Sequence, residues 1–145
     1  MVYTKDNEPM FEAKDISDEV IDEMCNHFWI KGAVAGRMKR YVDDFITMDI
    51  ETTTINRGTD NAIAFTYSIC VYGANKCFLF RTWKDYLEFI SRLTGRLGTT
   101  YNMRLVCYVH NLPYEFQFMR DFMDIEEVFA TQKRKVVKCF CEGIE

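Results

Sequence analysis

Proline and glycine are scarce in this chain, 2 and 7 of 145 residues. With so few of both and no low-complexity stretch, no flexible linker separates a second unit. The six cysteines, Cys25, Cys70, Cys77, Cys107, Cys139 and Cys141, include no Cys-x-x-Cys pair. Zinc-knuckle spacing is therefore missing, and Cys139-Phe140-Cys141 alternates as a strand does. No internal repeat is present, and no apolar run is long enough to cross a membrane. The acidic, polar amino-terminal stretch is unlike a secretory signal. Together these absences lead us to expect reduced thiols in a cytoplasm, no membrane partner, and no metal held by Cys and His.

Apolar residues make up 48% of the chain and aromatics 15%, which excludes a disordered protein. A chain of this length suits one globular domain, burying roughly two-thirds of its unfolded surface. The net charge of −4 conceals an asymmetry. Asp6, Glu8, Glu12, Asp15, Asp18, Glu19, Asp22 and Glu23 crowd the first 30 residues. Basic clusters follow at Lys31, Arg37, Lys39 and Arg40, and at Lys133, Arg134, Lys135 and Lys138. Each cluster reads first as a solvated face, and second as part of a nucleic-acid patch. We divide the chain into an acidic helical segment with a basic connector, 1–40, and a main domain, 41–145.

Residues 1–14 read as irregular. Ser17 is placed to cap a helix over Asp18–Trp29, with Val20, Ile21, Met24 and Phe28 on one face and Gly32 and Gly36 ending it. Phe45–Thr53 is a short apolar strand into which two acids intrude. Ala62–Tyr72 and Lys76–Arg81 are strands joined by the turn Gly73-Ala74-Asn75, the first apolar on both faces and so expected to be buried on both. Thr82 caps a second helix that presents Tyr86, Leu87, Ile90, Leu93, Thr94 and Leu97 on one side and stops at Gly98. Met103–Val109 is a central strand, and Pro113 opens a helix reaching about Met123. A hairpin, Glu127–Thr131 with Lys135–Phe140, closes the series. The order is β-β-β-α-β-α followed by β segments, an α/β layer fold. A crossover of this kind is right-handed. The order resembles the beginning of an RNase H-like fold, in which the fourth strand lies parallel to the first and beside it.

Asp49-Ile50-Glu51 puts two carboxylates two positions apart on a strand, hence on one face. Crowding two like charges beside Met48 and Ile50 is costly without a counter-charge. A divalent cation supplies one, and a pair of such ions can activate water and stabilise a leaving oxygen. Tyr108-Val109-His110-Asn111-Leu112-Pro113-Tyr114-Glu115-Phe116 leaves a strand and enters a helix, the place where functional side chains collect in parallel sheets. Glu115 in the first helical turn is then within reach of Asp49, although a Glu there also complements the helix dipole. Asn111 is placed to hydrogen-bond a sugar hydroxyl and Tyr114 to stack on a base. Turn chemistry and core packing account for the same two residues. His110 reads as a satisfied structural histidine.

Thr47-Met48-Asp49-Ile50-Glu51-Thr52-Thr53-Thr54 resembles the first exonuclease motif of family-B DNA polymerases, in the Thr-rich form of protein-primed phage and plasmid enzymes. Tyr108–Phe118, YVHNLPYEFQF, resembles their second motif. The two motifs cover about 20 residues, and the strand and helix layout extends the likeness over 41–145. The resemblance implies an RNase H-like, proofreading-type 3′→5′ exonuclease domain encoded by a phage or plasmid in a bacterial cytoplasm. It implies Mg²⁺ or Mn²⁺ on Asp49, Glu51 and Glu115 as catalytic ligands, with Thr52, Asn111 and Tyr114 holding the 3′ end of single-stranded DNA. Implied partners are that strand, the remaining polymerase domains or a terminal protein. Leu112 and Phe118 match packing positions.

Two departures stand against the pattern. Position 115 holds Glu where many relatives hold Asp, which lengthens the reach by a methylene. The family's third motif, Tyr-x-x-x-Asp, has no counterpart, since Gln117 and Arg120 stand four positions before Asp121 and Asp124. The expectation is a domain truncated before that motif, weak or inactive in cleavage, with an open sheet edge suited to self-association. The alternative is a non-catalytic module on the same fold that binds single-stranded DNA or a replication partner. A plain structural α/β domain with incidental acids is the third reading.

Overall fold

Ser17 opens the first helix as expected, its hydroxyl accepting from the Val20 N–H at 3.4 Å. The computed structural model describes residues 2–3, 5–6, 8–30, 39–133 and 135–145. Its elements are β1 (Val2–Tyr3), β2 (Pro9–Glu12), a 3₁₀ turn (Ala13–Asp15), α1 (Asp18–His27), β3 (Trp29–Ile30), β4 (Arg40–Ile55), β5 (Ile63–Gly73), β6 (Lys76–Phe80), α2 (Trp83–Leu97), β7 (Met103–Val109), α3 (Leu112–Met119), β8 (Ile125–Ala130) and β9 (Val136–Cys141). The sheet runs β1-β2-β6-β5-β4-β3, with β7 also paired to β4. Five longer strands form its body, and β1 and β3 contribute two residues each. The β2–β6 and β4–β7 pairs are parallel and the others antiparallel. The fold is mixed α/β, and the strand after α2 lies beside and parallel to β4, as the sequence predicts.

Several local expectations are corrected. Residues 1–14 are not all irregular, because β2 pairs with β6 through Phe11↔Phe78 and the two rings meet at 5.6 Å. A partner 67 positions away leaves no local signature. The first helix ends at His27, while Gly32 and Gly36 lie outside the described residues. Strand β5 is buried only in its second half, since Ile63, Phe65 and Tyr67 are exposed on an arm that outruns β6 and is paired to β4 alone. The last helix stops at Met119, and turns carry the chain to Met123.

One sheet face presents Ile46, Met48, Ile50, Ile69, Val71, Phe78 and Phe80 to the core. Helix α2 covers it, with Phe89 against Phe78 at 4.8 Å and against Phe80 at 5.1 Å. Thr82 caps α2 by accepting from the Asp85 N–H at 3.1 Å, and Gly98 ends it at φ 67°, a left-handed conformation glycine adopts without strain. Ile16, Ile21, Met24 and Phe28 join this core, so residues before position 41 pack with those after it. The acids of α1 meet α2: Arg92 donates to Asp18 at 2.9 Å and Arg96 to Asp22 at 3.0 Å. Each of these exposed pairs adds little stability, on the order of 0–1 kcal/mol.

Arg104 on β7 is fully buried. Its guanidinium lies 4.4 Å from the Tyr101 ring centroid and 4.0 Å from that of Phe140, and it donates to Glu127 at 3.1 Å and to Glu145. Lys39 reaches Glu127 at 3.3 Å and Lys138 reaches Glu145 at 3.4 Å. One member of each basic cluster is therefore spent on binding the β8–β9 hairpin to the sheet. Along the β7 edge, Ile144 bridges to Leu105 in parallel, the Glu145 N–H donating to the Leu105 carbonyl and the Cys107 N–H to that of Glu145. No helix among the described residues is long and apolar enough to cross a membrane.

Candidate metal centre

Strand β4 alternates as its sequence demands. Met48 and Ile50 are buried in the core, whereas Asp49 and Glu51 are exposed on the opposite face. Opposite them on β5, Cys70 pairs with Asp49 and Ser68 with Glu51. Burial pushes the Cys70 thiol up, and Cys77, Asp49 and Glu51 push it further, while Arg81 opposes them. A groove of about 380 Å³ runs along this face, lined by Asp49, Cys70, Tyr72, Tyr108 and His110 among others.

The parallel register sets the second half of the site. Met48 pairs with Val109, so β7 ends one residue short of the level of Asp49. The chain turns at His110 and Asn111, and α3 begins at Leu112 with Pro113 in its first turn. The Tyr114 and Glu115 N–H groups donate to the Asn111 carbonyl at 2.9 and 3.0 Å, locking the helix start to the strand end. The Asn111 side chain is exposed and makes no capping bond.

This turn delivers Glu115 against Asp49. Glu115 is 2% exposed, and its carboxyl lies close enough to Asp49 to share a hydrogen bond with it. Two carboxyl groups can share such a bond only with a proton between them. Burial, the Asp49 charge and that bond raise the Glu115 pKa to about 7, against a lowering by the Asn111 backbone. Its Oε2 is buried with no partner among the described residues. Beneath it, burial pushes the Cys107 thiol up to about 12, with Cys139 and Glu115 adding to the rise.

Tyr114 crosses to β4, its hydroxyl 2.7 Å from Thr52 Oγ1. Its ring leans on Phe118 at 5.3 Å. Asp49, Thr52, Tyr114 and Glu115, read from two stretches 60 residues apart, therefore converge. Glu51 shares the face of Asp49 but does not join it and Glu115. As the side chains lie, no three His, Cys, Asp or Glu residues among those described stand together as a metal-binding group. The residues do fit a divalent cation in one respect. Two adjoining carboxyls, one with a partnerless buried oxygen, form an arrangement that positive charge relieves. Sequence reasoning missed Cys70, which reaches the site only through the β4–β5 pairing. No family model matches the chain, and no curated protein matches it.

Proposed function

We propose that the chain is an RNase H-like exonuclease domain that removes nucleotides from the 3′ end of single-stranded DNA with Mg²⁺ or Mn²⁺. The observation that carries this reading is the Asp49–Glu115 contact, in which a strand acid and a buried helix acid are pressed together. Like charges forced together at a strand end cost stability, and function is the usual reason such a cost persists. Asp49, Glu115 and a reoriented Glu51 would hold the ion. When bound, the ion supplies a lowered water pKa and charge neutralisation at the phosphodiester.

The protein's own groups perform the rest. Glu115 gives up its proton so that both carboxylates become ligands. Burial of Met48 and Ile50 beneath Asp49 keeps the strand from yielding as charge gathers. Thr52 and Tyr114 occupy each other's hydroxyl groups, and a terminal nucleotide would exchange that bond for its own. Asn111, exposed beside them, is free to donate to a sugar oxygen. The 145 residues supply no Tyr-x-x-x-Asp acid to orient water, so slow cleavage is expected.

The test is degradation of an end-labelled single strand with Mn²⁺, Mg²⁺ or chelator. Metal-dependent shortening from the 3′ end, lost in Asp49→Ala, is the expected result. Binding of the strand without shortening, unchanged by Asp49→Ala, would support the non-catalytic module instead.

A further inference from the structure

A second pocket, which shares no lining residue with the acidic groove, has the opposite chemical character. It lies where the β5 arm meets the start of α2 and the turn after α3. About 420 Å³ in volume, it is lined by Thr66, Ile69, Arg81, Thr82, Trp83, Lys84 and Phe122. Ligand pockets range over about 300–1,000 Å³. Two of its groups are buried without partners: the Thr66 hydroxyl and the Trp83 indole N–H. Trp83 is 7% exposed, so its N–H has no recourse to solvent. An indole N–H can only donate, and leaving a buried donor unmet costs about 1–3 kcal/mol.

The two cations of the pocket also lack an acceptor. Arg81 and Lys84 are exposed and meet no carboxylate among the described residues. Trp83 and Lys84 are the first two residues of a 15-residue helix, whose opening N–H groups lack intrahelical acceptors and whose dipole favours an anion. The acid of that first turn, Asp85, is engaged with the Thr82 hydroxyl and lines a separate groove with Lys14 and Arg92. At the pocket's rim Phe122 stacks on Trp83, ring centroids 5.4 Å apart and planes 9° from parallel, and remains 55% exposed. An aromatic platform beside a cationic, donor-lined hollow matches a base joined to a phosphate.

We infer that this pocket is a nucleotide-binding site, with the phosphate on Arg81, Lys84 and the start of α2 and the base against Phe122. The Trp83 N–H and the Thr66 hydroxyl would donate to ligand oxygens. This assignment does not depend on the metal centre. Its occupant is a nucleoside monophosphate, either free or as one unit of a single strand.

Trp83 reports its own ligand. In a Trp29→Phe background it is the sole tryptophan, and its fluorescence is titrated in chelator with deoxyadenosine monophosphate, deoxyadenosine, inorganic phosphate and an eight-nucleotide strand. Saturable quenching by the monophosphate is expected, at least tenfold tighter than by phosphate or deoxyadenosine alone. Lys84→Ala and Arg81→Ala should each weaken it at least fivefold, with unchanged circular dichroism, while Asp49→Ala leaves it unaffected. A strand binding over tenfold tighter than the monophosphate, with the same Lys84 dependence, identifies the occupant as a strand unit. Equal affinities identify a free nucleotide. No saturable change with either, an unaltered Lys84→Ala affinity, equal binding of bare phosphate, or loss in Asp49→Ala would each overturn the assignment. Because the titration is run without metal, failure of the nuclease reading leaves its result untouched.

Discussion

Replacing Glu115 by Gln should make the protein more stable in alkali and flatten its pH dependence. The carboxyl titrates near 4.5 in the unfolded chain and at about 7 in the folded one. Below 4.5 it is neutral in both states and imposes no penalty. Between 4.5 and about 7 the unfolded chain loses its proton while the folded chain keeps it, so stability declines through that window. Above it both are ionised, and the folded chain carries a cost of about 3 kcal/mol. For a chain of this size that is roughly 8 °C in unfolding temperature. Gln donates from its amide to the Asp49 carboxylate without any proton, so its unfolding temperature at pH 8.5 should exceed that of the parent protein by several degrees. The gap should close by pH 4.5. Urea and thermal unfolding from pH 4.5 to 8.5 measure this, and Mn²⁺ at pH 8.5 should stabilise the parent but not the Gln protein. A parent protein with no decline above pH 6, or one matched throughout by Glu115→Gln, refutes the proton-sharing pair.

Other expectations follow from the packing. Arg104→Met removes the cation that Glu127 and Glu145 share, leaving each with a single lysine, and should cost about 1.5–3 kcal/mol in urea unfolding. The Glu127 carboxyl, held down to about 2 by hydrogen bonds from Arg104 and Tyr101 and by Lys39, contributes stability above pH 4.5 that is lost as pH falls toward 2. Amide exchange across β8 and β9 should therefore quicken in that range. Gly73→Ala sets a Cβ 2.6 Å from Ile46 Cγ2, which should cost about 1–3 kcal/mol by thermal unfolding. Tyr114→Phe removes the bond to Thr52 and should cost under about 1 kcal/mol in stability, yet slow shortening of a labelled strand severalfold.

The amino-acid sequence alone determined what short-range chemistry controls. Ser17 and Thr82 cap their helices because side-chain oxygens three residues from a free N–H leave little choice. Period-two alternation placed Asp49 and Glu51 on one face and Met48 and Ile50 on the other. Pro113 marked the start of α3, and Gly98 the end of α2. Only the tertiary structure decided the rest. Strand β2 exists through a partner on β6, and the exposure of the β5 arm reflects how far its neighbours extend, which no local pattern encodes. Arg104, lodged in an apolar run, is tolerable only because two rings and two carboxylates arrive from elsewhere. The meeting of Glu115 with Asp49, and of Trp83 with Phe122, depends on which elements lie side by side. Electrostatic and stacking forces act through space, so they become readable only once the chain is folded.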